Sequence, residues 1–296
     1  MMVEVRNLKQ YFRISDRLTI RAVDDISFGI ESGEVFGLVG ETGCGKSTTA
    51  RSLSGIYKPT EGEILYEGVP VSGPQAVKTQ IRKMQQETQM IFQDSAAALN
   101  PRMTVEQIIL EPIRIQKKFS DRRKAQEQLA SMMEHVGMSQ DFLHKYPGEL
   151  SGGQRQRVSI ARSLMVEPRL VIADEPVASL DISIQAQIIT LFQELQKEKG
   201  FSFFFIAHDL SVVRFISDRV GVMLKGKIVE IAPKEELFQN PLHPYTKALL
   251  SAIHVPDPIY ERNKNVLYYD SEQQPEGQMK EYSPGHFVLE QIDLGS

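Results

Sequence analysis

Eight consecutive residues, Gly40-Glu41-Thr42-Gly43-Cys44-Gly45-Lys46-Ser47, carry the densest chemistry in the chain. The pattern is glycine, four residues, glycine, lysine, serine, which is the spacing of a phosphate-binding loop. Glycines let successive backbone N–H groups turn inward and come close to phosphate oxygens. A helix starting near Lys46 adds the positive end of its dipole. Lys46 is expected to reach the β- and γ-phosphates of a nucleoside triphosphate, and the Ser47 hydroxyl to ligate Mg²⁺, with Thr48 completing the cradle. The alternative, a glycine-rich strand-to-helix turn without a ligand, is weaker, because the apolar run Val35 to Val39 leads in and a helical pattern leads out.

A second cluster ends another apolar run, Leu170-Val171-Ile172-Ala173-Asp174-Glu175. Ligand sites in parallel sheets lie at the C-terminal ends of strands. Asp174 there suits the Mg²⁺ shell, and Glu175 suits polarisation of an attacking water. Alone this pair reads equally as a helix cap. A third cluster, Leu150-Ser151-Gly152-Gly153-Gln154-Arg155-Gln156, puts a serine and two glycines at a helix start, which makes a second anion cradle. It also reads as a serine-capped helix, and the two readings are compatible.

The third cluster resembles the signature motif of the ABC ATPases, and other marks of that family follow in order. Gln93, after Met90-Ile91-Phe92, resembles the Q-loop glutamine, which the family uses to sense Mg²⁺ and the transporter. His208, after the run ending at Ala207, resembles the switch histidine. Ser179-Leu180-Asp181 resembles the D-loop. Phe12, with Tyr11 as the alternative, resembles the aromatic that stacks on adenine. The resemblance implies that Glu175, His208 and Gln93 serve catalysis. Nucleotide would fall to Phe12, residues 40–48, Ser151, Gly152, Gly153, Gln154 and Asp181, and metal to Ser47, Gln93 and Asp174. Within the family, Leu99-Asn100-Pro101-Arg102, Ser183-Ile184-Gln185-Ala186-Gln187 and Asn240-Pro241-Leu242-His243-Pro244-Tyr245-Thr246 resemble the oligopeptide/dipeptide importers. Some members of that branch carry a C-terminal cysteine cluster. This chain has one cysteine, Cys44, so no such cluster is expected.

The elements that must position these residues follow from the patterning. Residues 1–35 alternate apolar and polar positions and read as strands. Ile64 to Val71 reads as one further strand. Val77 to Gly137 is rich in helix formers and reads as a largely helical insert. After Ser151, helices (Arg155 to Val166, Ile182 to Lys199, Leu210 to Ser217) alternate with strands (Leu170 to Ala173, Phe203 to Ala207). A hairpin is expected around Gly226. Alternation of this kind predicts a mainly parallel sheet with helices on its faces. The resemblance sharpens this to an α/β phosphate-loop NTPase core of RecA-like type. To it the resemblance adds an antiparallel β subdomain, a helical ABC insert and a C-terminal extension. The expected division is 1–94 (first part of the ATP-binding core), 95–160 (helical signature subdomain), 161–235 (second part of the core) and 236–296 (extension).

Composition bounds the rest. A chain of 296 residues with 24% charged and 41% hydrophobic residues suits a globular fold. Its net charge of −4 argues against a nucleic-acid partner. No run approaches the roughly 20 apolar residues of a membrane span, and the N-terminus does not read as a signal peptide. Residues 255–296 hold eight acids against three bases and several prolines, which reads as a partly extended, acidic appendage. The resemblance therefore implies a peripheral ATPase on the cytoplasmic face of the membrane, using ATP and Mg²⁺. Its implied partners are a second and paralogous cassette, two membrane permease subunits and an extracytoplasmic peptide-binding protein. Peptide, nickel and glutathione all stay open as cargo. An ABC protein acting on DNA or ribosomes would add zinc cysteines or coiled coils. A non-hydrolysing regulatory cassette would tend to lack the glutamate or histidine.

Overall fold

The computed structural model describes residues 1–16, 18–118, 121–252, 267–269 and 275–290. The chain forms two compact units, one made of residues 1–77 and 205–296, the other of residues 78–204.

The first unit opens with two long strands, β1 (Val3–Ser15) and β2 (Leu18–Ile30), paired antiparallel. Their inward faces bury Val3, Val5, Leu8, Val23, Ile26 and Ile30, the alternation that a half-buried antiparallel sheet requires. Next come β3 (Val35–Val39), helix α1 (Lys46–Leu53), β4 (Glu61–Tyr66) and β5 (Val69–Pro70). The expected single strand from Ile64 to Val71 is thus a tight hairpin. Glu67 and Gly68 both take left-handed φ (51° and 76°), which reverses the chain. The order β2-β1-β4-β5 makes a four-stranded antiparallel sheet.

The second unit contains α2 (Lys78–Glu87), β6 (Thr88–Ile91), α3 (Ser95–Ala98), α4 (Val105–Gln116), α5 (Arg122–His135), α6 (Gly152–Leu164), β7 (Leu170–Asp174) and α7 (Ile182–Lys199). Strands β6 and β7 pair parallel, in the register Thr88 with Leu170 through Ile91 with Ala173. Strand β7 is buried along its whole length, as a central parallel strand should be. Thr104 and Ser151 close capping boxes on α4 and α6, which fixes where both helices begin.

Strand β8 (Ser202–Ile206) carries the chain back into the first unit. There follow α8 (Leu210–Ile216), β9 (Arg219–Leu224), β10 (Lys227–Pro233), α9 (Lys234–Gln239), α10 (Pro244–Ser251), β11 (Gln278–Ser283) and β12 (His286–Glu290). Strand β3 pairs parallel with β9, and β9-β10-β12-β11 continue antiparallel from it. The expected appendage at 255–296 is therefore built in part into the sheet: residues 278–290 form a hairpin whose second strand, β12, pairs on β10. Residues 255–266, 270–274 and 291–296 of that expected appendage lie outside those described.

Candidate functional site

In the first unit, β3 ends at Val39 and the chain turns through Gly40 to Gly45 into α1. Glycine is required at two of these positions. Gly40 (φ 150°) would place a Cβ 2.1 Å from Met223 O, and Gly45 (φ 113°) would place one 2.2 Å from Ala22 O. Gly45 is also the N-cap of α1 and supplies no side-chain cap, so the first-turn N–H groups face no capping oxygen from their own N-cap. Lys46 is 4% exposed, and its ammonium donates to Gly40 O (2.8 Å) and Glu41 O (3.0 Å). The loop is thus folded around its own cation. Glu41, Thr42 and Gly43 are exposed at its crest, and Ser47 and Thr48 are half-buried behind it. Cys44 is buried, and desolvation pushes its thiol up despite the nearby Lys46.

On the same edge of that unit the chain leaves β8 with Ala207 N–H reaching Leu38 O (3.4 Å), which puts the exposed His208 beyond the strand end. Asp209 then caps α8 through the N–H of Ser211 (2.7 Å).

The aromatic pair Tyr11 and Phe12 separates cleanly. Tyr11 donates its hydroxyl to Asp24 on the neighbouring strand and lies under the Arg21 guanidinium. Burial, then the bond to Asp24, pushes its pKa up to about 12. Phe12 is half-buried with one edge against Tyr57, 5.3 Å between centroids. Tyr11 is thus tied to its own sheet.

In the second unit, parallel register brings two predicted residues together. Ile91 pairs with Ala173, so Gln93 and Glu175 each lie two residues past a matched pair. Their side chains meet, with Gln93 Nε2 donating to Glu175 Oε2 at 3.1 Å. A carboxylate only accepts, so the amide nitrogen faces it and the amide oxygen remains as a hard ligand. Asp174 is 2% exposed at the end of β7, and Glu175 is half-buried with a left-handed φ of 48°. A non-glycine residue in that region stores strain of order 1–3 kcal/mol, and six other described non-glycine residues also take positive φ. The helix-cap alternative for this pair does not hold, since α7 starts only at Ile182, with Asp181 at the N-cap position.

Ser151 begins α6 as both readings anticipated. Its Oγ accepts from Gln154 N–H (3.3 Å), and Gln154 Oε1 accepts from Ser151 N–H (2.9 Å). The hydroxyl proton is not consumed by that cap and can donate to an anion. Gly153 would place a Cβ 2.8 Å from Ile184 Cγ2, and Gly152 one 3.4 Å from Leu180. The glycine pair therefore seats the start of α6 against the start of α7, near the exposed Asp181.

Among the described residues no three His, Cys, Asp or Glu side chains gather into a metal cage. Mg²⁺ carried by nucleotide phosphates and water needs only one or two protein oxygens. Ser47, Asp174 and the Gln93 amide are hard oxygen donors of the right kind. Sequence reading named Tyr245 only as part of the Asn240 to Thr246 string and did not single out Glu230. The signal for Glu230 was present, a lone acid inside the apolar run Ile228-Val229-Glu230-Ile231-Ala232.

A phosphate-type loop on one parallel edge, and an acid pair with its glutamine on another, define a nucleotide-hydrolysing cassette. Residues 23–178 match the family described as ABC transporter, and residues 229–279 match the oligopeptide/dipeptide transporter C-terminal region. The chain belongs to the ABC transporter family as an ATP-hydrolysing subunit, in its oligopeptide/dipeptide transporter branch. It is 51% identical to the oligopeptide transport ATP-binding protein OppF of Bacillus subtilis (strain 168), over 97% of this chain and 95% of that one. It is 46% identical to the protein of the same name from Streptococcus mutans serotype c, over 97% and 94%. Among solved structures it resembles the ATP-binding cassette MJ0796, a dimer in a post-hydrolysis state with ADP and Pi. The TM-score is 0.70 at 25% identity, covering 79% of this chain and 99% of that one. It also resembles cbiO1 of Clostridium perfringens, part of the ABC transporter complex cbiONQ, with TM-score 0.70 at 29% identity, covering 81% and 91%. No described helix is long and apolar enough to cross a membrane.

Proposed function

We propose that this chain powers uptake of oligopeptides by hydrolysing Mg²⁺-ATP in a sandwich with a second, paralogous cassette, docked at the cytoplasmic face on two permease subunits. An extracytoplasmic peptide-binding protein delivers the cargo. The observation that carries the reading is the buried Lys46 at a helix N-terminus whose N-cap, Gly45, has no side-chain oxygen to cap it. Such a terminus favours a polyanion. Residues 40–48 hold the phosphates, and Phe12 stacks on the adenine. Ser47, Asp174 and Gln93 would supply oxygens to Mg²⁺, which when bound would neutralise charge on the phosphates. Glu175 accepts a proton from the attacking water, His208 steadies the γ-phosphate, and Gln93 holds the Glu175 carboxylate until nucleotide binds.

Ser151, Gly152, Gly153 and Gln154 grip the γ-phosphate held by the partner cassette, with Asp181 beside them. ATP closes the pair because the γ-phosphate has differential affinity for the closed state, and its loss by hydrolysis releases the two halves. The division into core (1–94 and 161–235), helical signature subdomain (95–160) and extension (236–296) goes with this reading. It is supported by the resemblance of the Asn240 to Thr246 string and by relatives whose names say oligopeptide transport. Reconstituted with its permeases and binding protein, the complex should hydrolyse ATP faster when a peptide is bound outside. Stimulation by nickel or glutathione, and none by any peptide, would overturn the cargo assignment.

A further inference from the structure

The phosphate loop is anchored by a residue far from it in sequence. The backbone N–H of Glu41, first after Gly40, donates to the Tyr245 hydroxyl at 3.2 Å. The carbonyl of the same residue accepts from Lys46. Both backbone groups of Glu41 are therefore held, one from inside the loop and one from α10.

Tyr245 is itself fixed by a buried polar network. It is 1% exposed, and its N–H donates to Nδ1 of His243, the N-cap of α10. Pro244 follows at the first helical position, where its preset φ favours the turn. The N–H groups of Leu242 and His243 donate to the two oxygens of Glu230, at 2.8 and 3.0 Å. Glu230 is fully buried in β10, and its Oε1 also takes Nε2 of His286 from β12 at 2.7 Å. The Tyr269 ring lies against both Tyr245 and His243, with centroids 5.5 and 5.9 Å away. A continuous run of contacts thus leads from the C-terminal hairpin through Glu230 and α10 to the loop. A buried acid with three donors is expensive unless every partner is in place, so this network has one arrangement. Burial also pushes the Tyr245 phenol up, which keeps it a neutral hydroxyl.

We infer that Tyr245 is a positioning residue for the ATP site: its hydroxyl holds the Glu41 peptide so that the loop is preorganised for phosphate before nucleotide arrives. The inference rests on residues 40–48 being the phosphate site. Preorganisation lowers the ordering cost of binding, and one buried hydrogen bond is worth about a fivefold change in affinity. The extension thereby becomes part of the nucleotide site as well as a family-specific tail.

The test compares the full chain with Tyr245→Phe, which removes one oxygen and keeps the ring against Tyr269. Binding of a fluorescent Mg²⁺-ATP analogue and thermal unfolding are measured side by side. The expected result is a Kd raised about fivefold with the melting temperature close to wild type. An unchanged Kd in Tyr245→Phe, whatever its melting temperature, overturns the inference. Lys46→Ala in the same assay separates the levels. If it binds the analogue as well as wild type, the phosphate-site reading itself fails. If it loses binding while Tyr245→Phe does not, only the positioning role fails. Amide hydrogen exchange in the wild-type chain gives a readout that needs no variant to fold. The Glu41 N–H should exchange slowly although its side chain is exposed, and exchange at the intrinsic rate would contradict the bond.

Discussion

Cys44 sits inside the phosphate loop with 5% of its surface exposed, 3.9 Å from the Lys46 ammonium. Two effects oppose each other there. Desolvation disfavours the thiolate, Lys46 favours it, and desolvation is the larger, so the thiol is held above its ordinary value. A thiol reagent attacks the thiolate. Native protein at pH 8 should therefore react far more slowly than the same chain in denaturant, and modification at the free-thiol rate in the native chain would show the loop to be open. The loop itself was legible from sequence because its chemistry is local: glycines, lysine and serine act within eight residues. The Gln93–Glu175 contact was not, since the two lie 82 residues apart and meet only because β6 and β7 are in step. Sequence placed each at a strand end without showing that they touch. That Tyr11 is tied to its own sheet likewise needed the cross-strand partner Asp24, which neighbouring residues do not reveal.

At the scale of elements, helices and core strands were readable because 3.6- and 2-residue periods survive in a single chain. Ile182–Lys199 appears with the bounds its pattern implied. The failures have physical reasons. The Ile64 to Val71 run looked continuous because Glu67 is an ordinary strand-compatible residue, yet it adopts φ 51° beside Gly68. The hairpin of β11 and β12 was hidden because β11 is mostly exposed and shows no alternation. It is fastened by backbone pairing of β12 on β10 and by the buried contact of His286 with Glu230.

The α10 cap offers a pH test at this scale. Burial holds the folded pKa of His243 below the ordinary 6.5, although Glu230 pulls the other way. Tyr245 and Tyr269 are the other titratable groups against it. The Nδ1 that caps Tyr245 must be unprotonated. A histidine kept neutral in the fold binds its proton more readily when unfolded. Its contribution to stability is therefore complete above about 6.5 and drains as pH falls below that value. Denaturant melts between pH 7 and pH 5 should show a steeper loss for wild type than for His243→Asn, which keeps a capping side chain without the titration. Parallel pH profiles would remove His243 from this role.

For the molecule as a whole, fold and family follow from motifs in the right order over nearly the full chain, with relatives at 51% and 46% identity. The central proposal is a division of labour, in which residues 40–48 grip phosphate and Glu175 acts as the general base of hydrolysis. Removing a positioned general base costs on the order of 10²–10⁴ in rate, while Glu175→Gln preserves shape and leaves the phosphate grip intact. The most direct measurement is steady-state ATP hydrolysis and nucleotide retention by the assembled transporter carrying Glu175→Gln. The account predicts hydrolysis lowered at least a hundredfold, with unhydrolysed Mg²⁺-ATP retained through gel filtration. Turnover at the wild-type rate with no retained ATP would contradict it.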